Sequence, residues 1–368
     1  MIRCLEDLGI SVQVEVEPWA VDGNAGHMAP SAQVIDAGES ALSARILIAM
    51  SALGRGELVI DGQGSLQRRP MGGLLAALSA WGVEVHSGGT VPVTVSGRGG
   101  VFGGPLSVDA SKTSQFATAL LLIAPLAETP TELRIDGLVG SRGYTELTVL
   151  VMRNFGAVVT PTLTGYVVEP GGYRSADYIV EPDASAAVYP MLAAAITGGE
   201  VELEGLTLDS HQPDMAVAGV FAEMGCDVRA GESGLVVRGP PDRLRPYHGD
   251  LGRTPDGALA VAVACLFAGG PSEIRGLSSL RHKESDRLRA LKEGIDRLGA
   301  SAEIRGDSLV IEPDEPTAAI IDSHGDHRIA MSFATAGLAV EGVSISQPDV
   351  VAKTWPGFWE MLENLMGQ

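Results

Sequence analysis

Apolar positions along this chain follow two periods. Leu288, Leu291, Ile295 and Leu298 recur at the spacing of one helix face, which predicts a helix from about Glu284 to Leu298. Val12-Gln-Val-Glu-Val, and Ala302-Glu-Ile with Leu309-Val-Ile, carry the two-residue period of half-buried strands. The two periods alternate in a fixed order that repeats. An Asp followed by small residues and a long apolar helix recurs at Asp36, Asp109, Asp183, Asp256 and Asp326, at intervals of 70 to 74 residues. A short strand follows each helix: Glu57-Leu-Val-Ile-Asp-Gly, Glu132-Leu-Arg-Ile-Asp-Gly, Glu202-Leu-Glu-Gly-Leu, Glu273-Ile-Arg-Gly-Leu and Val343-Ser-Ile-Ser. Each strand feeds a second helix that ends at a glycine, at Gly9, Gly82, Gly156, Gly225, Gly299 and Gly367, where a helix C-terminus can use positive φ. A pair of alternating strands then closes most units.

The fold class is therefore α/β, built from repeated strand–helix–strand–helix–hairpin units in two domains. Six second helices stand against five Asp-headed first helices. The chain is thus expected to begin inside an incomplete first unit, with Ile2 to Leu8 as that unit's second helix. The six units divide as three and three, 1–175 and 176–368, with Pro170-Gly-Gly-Tyr-Arg-Ser as the linker. If the first helices of each domain run parallel, their N-termini converge on an interdomain cleft. Lys283, Arg287, Arg328 and Thr113 are expected to line it, and helix dipoles there favour anions.

Composition narrows the partners. The 368 residues suit two domains, and 45 % hydrophobic content with 47 glycines suits a globular α/β chain with tight turns. A formal net charge of −20 argues against nucleic acid or an anionic membrane surface. Three cysteines, Cys4, Cys226 and Cys265, with no paired spacing point to a reducing compartment and no metal site. The longest apolar run, Ala117 to Ala127, contains Pro125 and is too short to span a bilayer, so the cytoplasm is the expected location. The cut first unit would leave apolar surface open, and self-association is expected from it.

Against this acidic background the placement of the basic residues is informative. Lys283, Glu284 and Arg287 gather at one helix start, an acid–base group beside a place for an anion. A solvated charged helix start is the plain alternative.

Five stretches in this order resemble one family. They are Arg69-Pro-Met-Gly, Ser111-Lys-Thr-Ser-Gln-Phe, Arg281-His-Lys-Glu-Ser-Asp-Arg-Leu, Asp326-His-Arg-Ile-Ala-Met and Ala352-Lys-Thr-Trp-Pro. With the repeat, they resemble the enolpyruvyl transferases, and within them the 5-enolpyruvylshikimate-3-phosphate synthases. The resemblance implies attack of an acceptor hydroxyl on C2 of phosphoenolpyruvate, a tetrahedral ketal, and loss of phosphate, with no cofactor or metal. The implied substrates are small anions, shikimate 3-phosphate or a related cyclohexene polyol, and phosphoenolpyruvate. It further implies that Arg69, Arg287, Arg328 and Lys353 hold phosphate and carboxylate groups, to which a guanidinium fork is suited. Thr113, Ser114 and Ser141 would take the acceptor's 3-phosphate, with Gln115, Arg142 and Tyr144 around its ring. Asp256 would meet the attacking hydroxyl, and Lys283 and Glu284 would be the remaining acid–base partners, Glu284 as proton donor. The plain alternatives are helix caps for Thr113, Ser114 and Ser185, a hydrogen-bonded hinge for His327, and repeat elements for Asp36, Asp109 and Asp183.

The chain departs from the family pattern in two places. The opening Lys-Ser motif with its following Arg is absent. The phosphoenolpyruvate loop reads Glu39-Ser-Ala-Leu-Ser-Ala-Arg, so a carboxylate stands for Asn and Leu42 for a hydroxyl-bearing residue. A carboxylate about 4 Å from a bound anion costs about 4 kcal/mol at an effective dielectric of about 20. Smaller changes are Gly143 for a proline and Ser279 for an asparagine. Two other readings remain open: a lyase eliminating water or phosphate from a shikimate-like ring, favoured by Glu39 and Leu42, and a non-catalytic binding protein, favoured by the missing half-unit.

Overall fold

The computed structural model describes residues 1–15, 17–137 and 142–367. The chain forms two compact units, Met1–Tyr178 and Ile179–Gln368, each with its own hydrophobic core. The helices among the described residues are α1 (Ile2–Asp7), α2 (Ala41–Ser51), α3 (Gly72–Ala80), α4 (Gln115–Ile123), α5 (Arg142–Asn154), α6 (Ala184–Thr197), α7 (Ala216–Glu223), α8 (Ala258–Ala264), α9 (Arg287–Arg297), α10 (His327–Ala336) and α11 (Phe358–Met366).

The repeating unit has one sheet plan. In the first unit the strands Val34–Asp36, Arg55–Asp61, Val93–Arg98 and Glu84–His86 lie side by side in that order, the first pair parallel and the others antiparallel. Gly104–Asp109, Thr131–Asp136, Gly165–Val168 and Val159–Pro161 repeat the plan. In the second unit His248–Asp250, Ser272–Arg275, Ser308–Glu312 and Ser301–Arg305 repeat it again. The helix between the two parallel strands is the crossover that such a pair requires. The plan is shortened elsewhere. Glu200–Glu204 pairs antiparallel with Gly234–Arg238, which pairs with Asp227–Ala230, without a parallel first strand among the described residues. Ile320–Ile321 with Ser344–Ile345 forms a two-stranded parallel sheet.

Crossover helices lie inside and second helices outside. Each residue of α8 is buried, and in α4 seven of nine are. Such all-round apolar helices fill the middle of a layered unit, which explains why the run from Ala117 is core. Within the second unit α6, α8 and α10 pack on one another. α9, by contrast, turns Leu288, Leu291 and Ile295 inward and Arg289, Lys292 and Arg297 outward.

The structure moves two expected boundaries. α9 begins at Arg287 rather than Glu284, because the Asp286 side chain accepts the Arg289 N–H at 3.2 Å and caps the helix there. Lys283 and Glu284 therefore sit on the segment leading into the helix. Gly9, Gly82, Gly156, Gly225 and Gly299 have φ between 82° and 109°, whereas Gly367 has φ −88° and ends its helix without that conformation.

Candidate functional site

In the second unit the chemistry gathers around Arg287, whose side chain is 1 % exposed. Its Nε and Nη2 donate to both oxygens of Asp326 at 2.8 and 3.1 Å. Nη2 also reaches Glu284 Oε2 at 2.9 Å, and Nη1 reaches Asp256 Oδ1 at 2.8 Å. The placement follows from three chain turns. Asp326 caps α10 by accepting the Arg328 N–H and also takes the Ser285 hydroxyl at 3.0 Å. Asp256 stands just ahead of α8, and Arg287 is the first residue of α9.

The more open edge carries the remaining groups. Asp256 accepts Lys283 Nζ at 3.2 Å and lies 3.3 Å from Arg328 Nη2. Lys353 Nζ donates to Glu284 Oε1 at 3.4 Å. Lys283, Arg328 and Lys353 keep 23 %, 12 % and 24 % of their side chains exposed, so each can still meet a small ligand. Lys283, Arg287, Arg328 and Lys353 thus gather four cations at one place in an acidic chain, as an anion-binding site needs.

The same charges set protonation. Burial alone would raise the Asp256 carboxyl, but Arg328, Lys283 and Arg287 override it and hold the group well below the usual range. Asp326 is also lowered, burial being outweighed by Arg287. His327, 3 % exposed, is pushed down to about 4 by burial and by repulsion from Arg328 and Arg287. Its Nδ1 makes no hydrogen bond among the described residues and lies 3.9 Å from Asp326 Oδ1. Tyr189 is pushed up to about 12 by burial.

In the first unit Arg45, 1 % exposed, turns inward. It donates to the Gln115 side-chain oxygen and to the Pro70 carbonyl at 2.9 Å, with its guanidinium carbon 4.9 Å from the Phe116 ring centroid. Gln115 and the Arg69–Pro70 stretch thus meet around one buried cation. The Thr113 hydroxyl accepts the Gln115 N–H at 3.3 Å, as a local turn does. Ser114, buried at the N-cap of α4, makes no capping hydrogen bond with its side chain. Arg142 is turned along its own helix to Glu146 at 3.0 Å, and Tyr144 is half-buried. Ser141 lies outside the described residues. Asp36, Asp109 and Asp183 each accept a backbone N–H two residues on, the turn that opens the repeat. Glu39 and Leu42 are exposed.

Sequence reasoning took Asp326 only as a repeat marker. Its position three residues before a buried apolar run is a capping signal, but nothing in the spacing shows that it also meets Arg287. No helix among the described residues is long and apolar enough to cross a membrane.

Comparison with known proteins agrees across the chain. The family model for EPSP synthase (3-phosphoshikimate 1-carboxyvinyltransferase) matches residues 1–362. A 3-phosphoshikimate 1-carboxyvinyltransferase of Methanoculleus marisnigri is 37 % identical over 366 residues, spanning 98 % of this chain and 86 % of the relative. One from Trichormus variabilis is 34 % identical over 373 residues, spanning 100 % and 87 %. Among solved structures, an EPSP synthase of Acinetobacter baumannii aligns with TM-score 0.81 at 25 % identity, covering 99 % of this chain and 86 % of its own. The enolpyruvyl transferase NikO of Streptomyces tendae shares the fold with TM-score 0.72 at 18 % identity, covering 99 % and 85 %. With its repeated units and its arginine-centred site, this chain belongs to the EPSP synthase (3-phosphoshikimate 1-carboxyvinyltransferase) family.

Proposed function

We propose that the chain transfers the enolpyruvyl group of phosphoenolpyruvate to the 5-hydroxyl of shikimate 3-phosphate and releases phosphate. The observation that carries the site-level reading is Asp256, kept ionised by Lys283, Arg287 and Arg328 while 19 % exposed. A carboxylate so held can accept the proton-bearing side of an attacking hydroxyl. The cations that hold it can at the same time meet a phosphate and a carboxylate.

The reaction divides into two balanced steps. In the addition, the acceptor oxygen bonds to C2 of phosphoenolpyruvate as the C2=C3 π bond breaks, the hydroxyl proton passes to Asp256 and C3 gains a proton from Lys283, giving a tetrahedral ketal phosphate. In the elimination, the C2–O bond to phosphate breaks and C3 loses a proton. Asp256 takes the hydroxyl's hydrogen bond. Lys283, its Nζ against Asp256 with 23 % of the side chain exposed, is the better placed donor to C3. Glu284, with Arg287 and Lys353 against its oxygens, is better suited to accept that proton in the second step. Arg328 and Lys353 are the second unit's cations for the anionic groups of phosphoenolpyruvate, and Arg69 is the first unit's. Arg287 mainly fixes Asp256 and Glu284. Thr113, Ser114, Ser141, Gln115, Arg142 and Tyr144 receive the acceptor.

The test is phosphate release from the purified protein with shikimate 3-phosphate, with and without phosphoenolpyruvate. Release only when both are present, with the enolpyruvyl product formed, supports transfer. Release or dehydration without phosphoenolpyruvate supports the lyase reading that Glu39 and Leu42 favour. Acceptor binding with no turnover supports a binding protein.

A further inference from the structure

We propose that Asp214, which has no part in the roles above, is a positioning residue that fixes Asp256 and Arg328 relative to each other; the proposal rests on the site reading just given. Asp214 lies in the short turn Pro213–Met215 and is 1 % exposed. Its Oδ1 accepts the N–H of Gly257 at 3.2 Å, and its Oδ2 accepts the Ser185 hydroxyl. Gly257 directly follows Asp256. The Ser185 carbonyl accepts Arg328 Nη1 at 3.4 Å, and Arg328 Nη2 lies 3.3 Å from Asp256 Oδ2. The contacts close a ring: Asp214 to Gly257 and Asp256, then Arg328, then Ser185, then back to Asp214.

Three segments distant in sequence thereby meet at one buried carboxylate. Their close approach depends on residue 257 having no side chain. A Cβ there would stand 2.4 Å from Val217 Cγ2 and 3.3 Å from Asp214 Oδ1. Desolvating a carboxylate is costly, so an apolar residue would serve better if the turn only needed filling. The carboxylate instead holds two points that each lead, through one further contact, to a group meeting the reactants. A rise of its disorder would separate Asp256 from Arg328, and a displacement of about 1 Å at reacting groups can cost on the order of a hundredfold in rate.

The experiment uses Asp214→Asn, Ser185→Ala and the double variant, with kcat, KM for both substrates and thermal unfolding measured for each. Asn keeps the shape and an oxygen for Gly257 but cannot accept from Ser185 with its amide nitrogen. Ser185→Ala removes the hydroxyl and leaves the carbonyl that receives Arg328. Expected is a kcat lower by about ten- to a hundredfold in Asp214→Asn at an unchanged folded fraction, with KM for shikimate 3-phosphate little changed. Ser185→Ala should show part of that loss, and the double variant no more than Asp214→Asn alone, because both act through one contact. Wild-type kcat in folded Asp214→Asn overturns the proposal. So do losses that only follow the folded fraction, or two losses that simply multiply. If Asp214→Asn does not fold, Ser185→Ala decides, its kcat being either lowered in the folded protein or unchanged. The function itself is judged separately on the wild type, and should its turnover prove to be elimination, the same ratios are taken on that reaction.

Discussion

Arg287 and Asp326 form a two-point ion pair from which water is excluded, the side chains being 1 % and 0 % exposed. The pair joins the first residue of α9 to the N-cap of α10, so two helix starts are fixed at one distance. Breaking a buried pair leaves a desolvated charge and typically costs about 3–5 kcal/mol. Because Arg287 retains Glu284 and Asp256, Asp326→Ala is expected at the lower end, about 3 kcal/mol, by denaturant titration at pH 7. A loss within the range of ordinary surface substitutions would show that the pair carries no net stability.

His327 gives the fold a pH dependence of definite sign. Its pKa falls from 6.5 in the unfolded chain to about 4 in the folded one, through burial and the positive charges of Arg328 and Arg287, against the opposing Asp326 and Glu284. Between these values the unfolded chain binds the extra proton, so stability is full above about pH 6.5 and falls as pH drops toward 4. The amount is on the order of 3 kcal/mol. The lowered carboxyls of Asp256 and Asp326 act in a different window, since depressed groups lose their contribution only as pH falls below the ordinary 3.8. Denaturant midpoints from pH 7 to 4.5 should therefore slope down in the wild type and much less in His327→Gln. Equal slopes would place the titration elsewhere.

The repeat was legible because a helix face and a strand face impose different apolar periods, and four of the five repeat aspartates, Asp36, Asp109, Asp183 and Asp326, accept a backbone N–H two residues on. What those periods do not encode is which Asp reaches beyond its own turn. Asp36, Asp109 and Asp183 close local turns, with Asp36 also accepting the Gln63 side-chain amide at 2.9 Å, whereas Asp256 and Asp326 accept guanidinium groups from a helix elsewhere in the sequence. Asp214 has neither period nor charge run around it, and the role proposed for it draws on contacts 29 and 43 residues away. The start of α9 was misjudged by three residues since an apolar stripe says where a helix is buried and a cap says where it begins. Arg45 was read as a loop residue, and only the packing of α2 on α4 turns it toward Gln115.

Arg328 should matter to rate. It is the cation that meets Asp256 from α10 while keeping 12 % exposure toward a ligand. Removing a fixed positive group from the place where charge develops costs roughly 2.7–4 kcal/mol in transition-state stabilisation. Arg328→Ala is expected to lower kcat by about a hundred- to a thousandfold in the phosphate-release assay, with the protein folded. Near-normal turnover would remove Arg328 from the proposed site.

Glu39 should have a milder effect than its charge alone suggests. The side chain is exposed, so water screens it far more than the effective dielectric of a buried pair allows. Glu39→Asn is expected to lower KM for phosphoenolpyruvate by a factor of a few, equivalent to about 1 kcal/mol or less. Loss of all turnover on this substitution would instead make Glu39 a base, as the lyase reading holds.

Two helical glycines should respond oppositely to alanine. Gly219 in α7 is exposed, and a Cβ there would meet nothing within 4 Å. Gly219→Ala should stabilise by about 0.4–1 kcal/mol, since alanine costs less chain entropy in a helix. Gly294 in α9 faces Phe333 of α10, and a Cβ would stand 2.3 Å from the ring's Cζ. Phe333 is 0 % exposed and its ring is rigid, so the helices must separate or the ring must leave its rotamer. Overpacking of this kind costs about 1–3 kcal/mol, against a propensity gain of about 1 kcal/mol, so Gly294→Ala should destabilise on balance. These are also the helices that carry Arg287 and Asp326, so kcat should fall with stability. Adding Phe333→Leu should recover part of both by making room. If Gly294→Ala raised the unfolding midpoint as Gly219→Ala does, the close approach of α9 and α10 would not be what spaces the two residues.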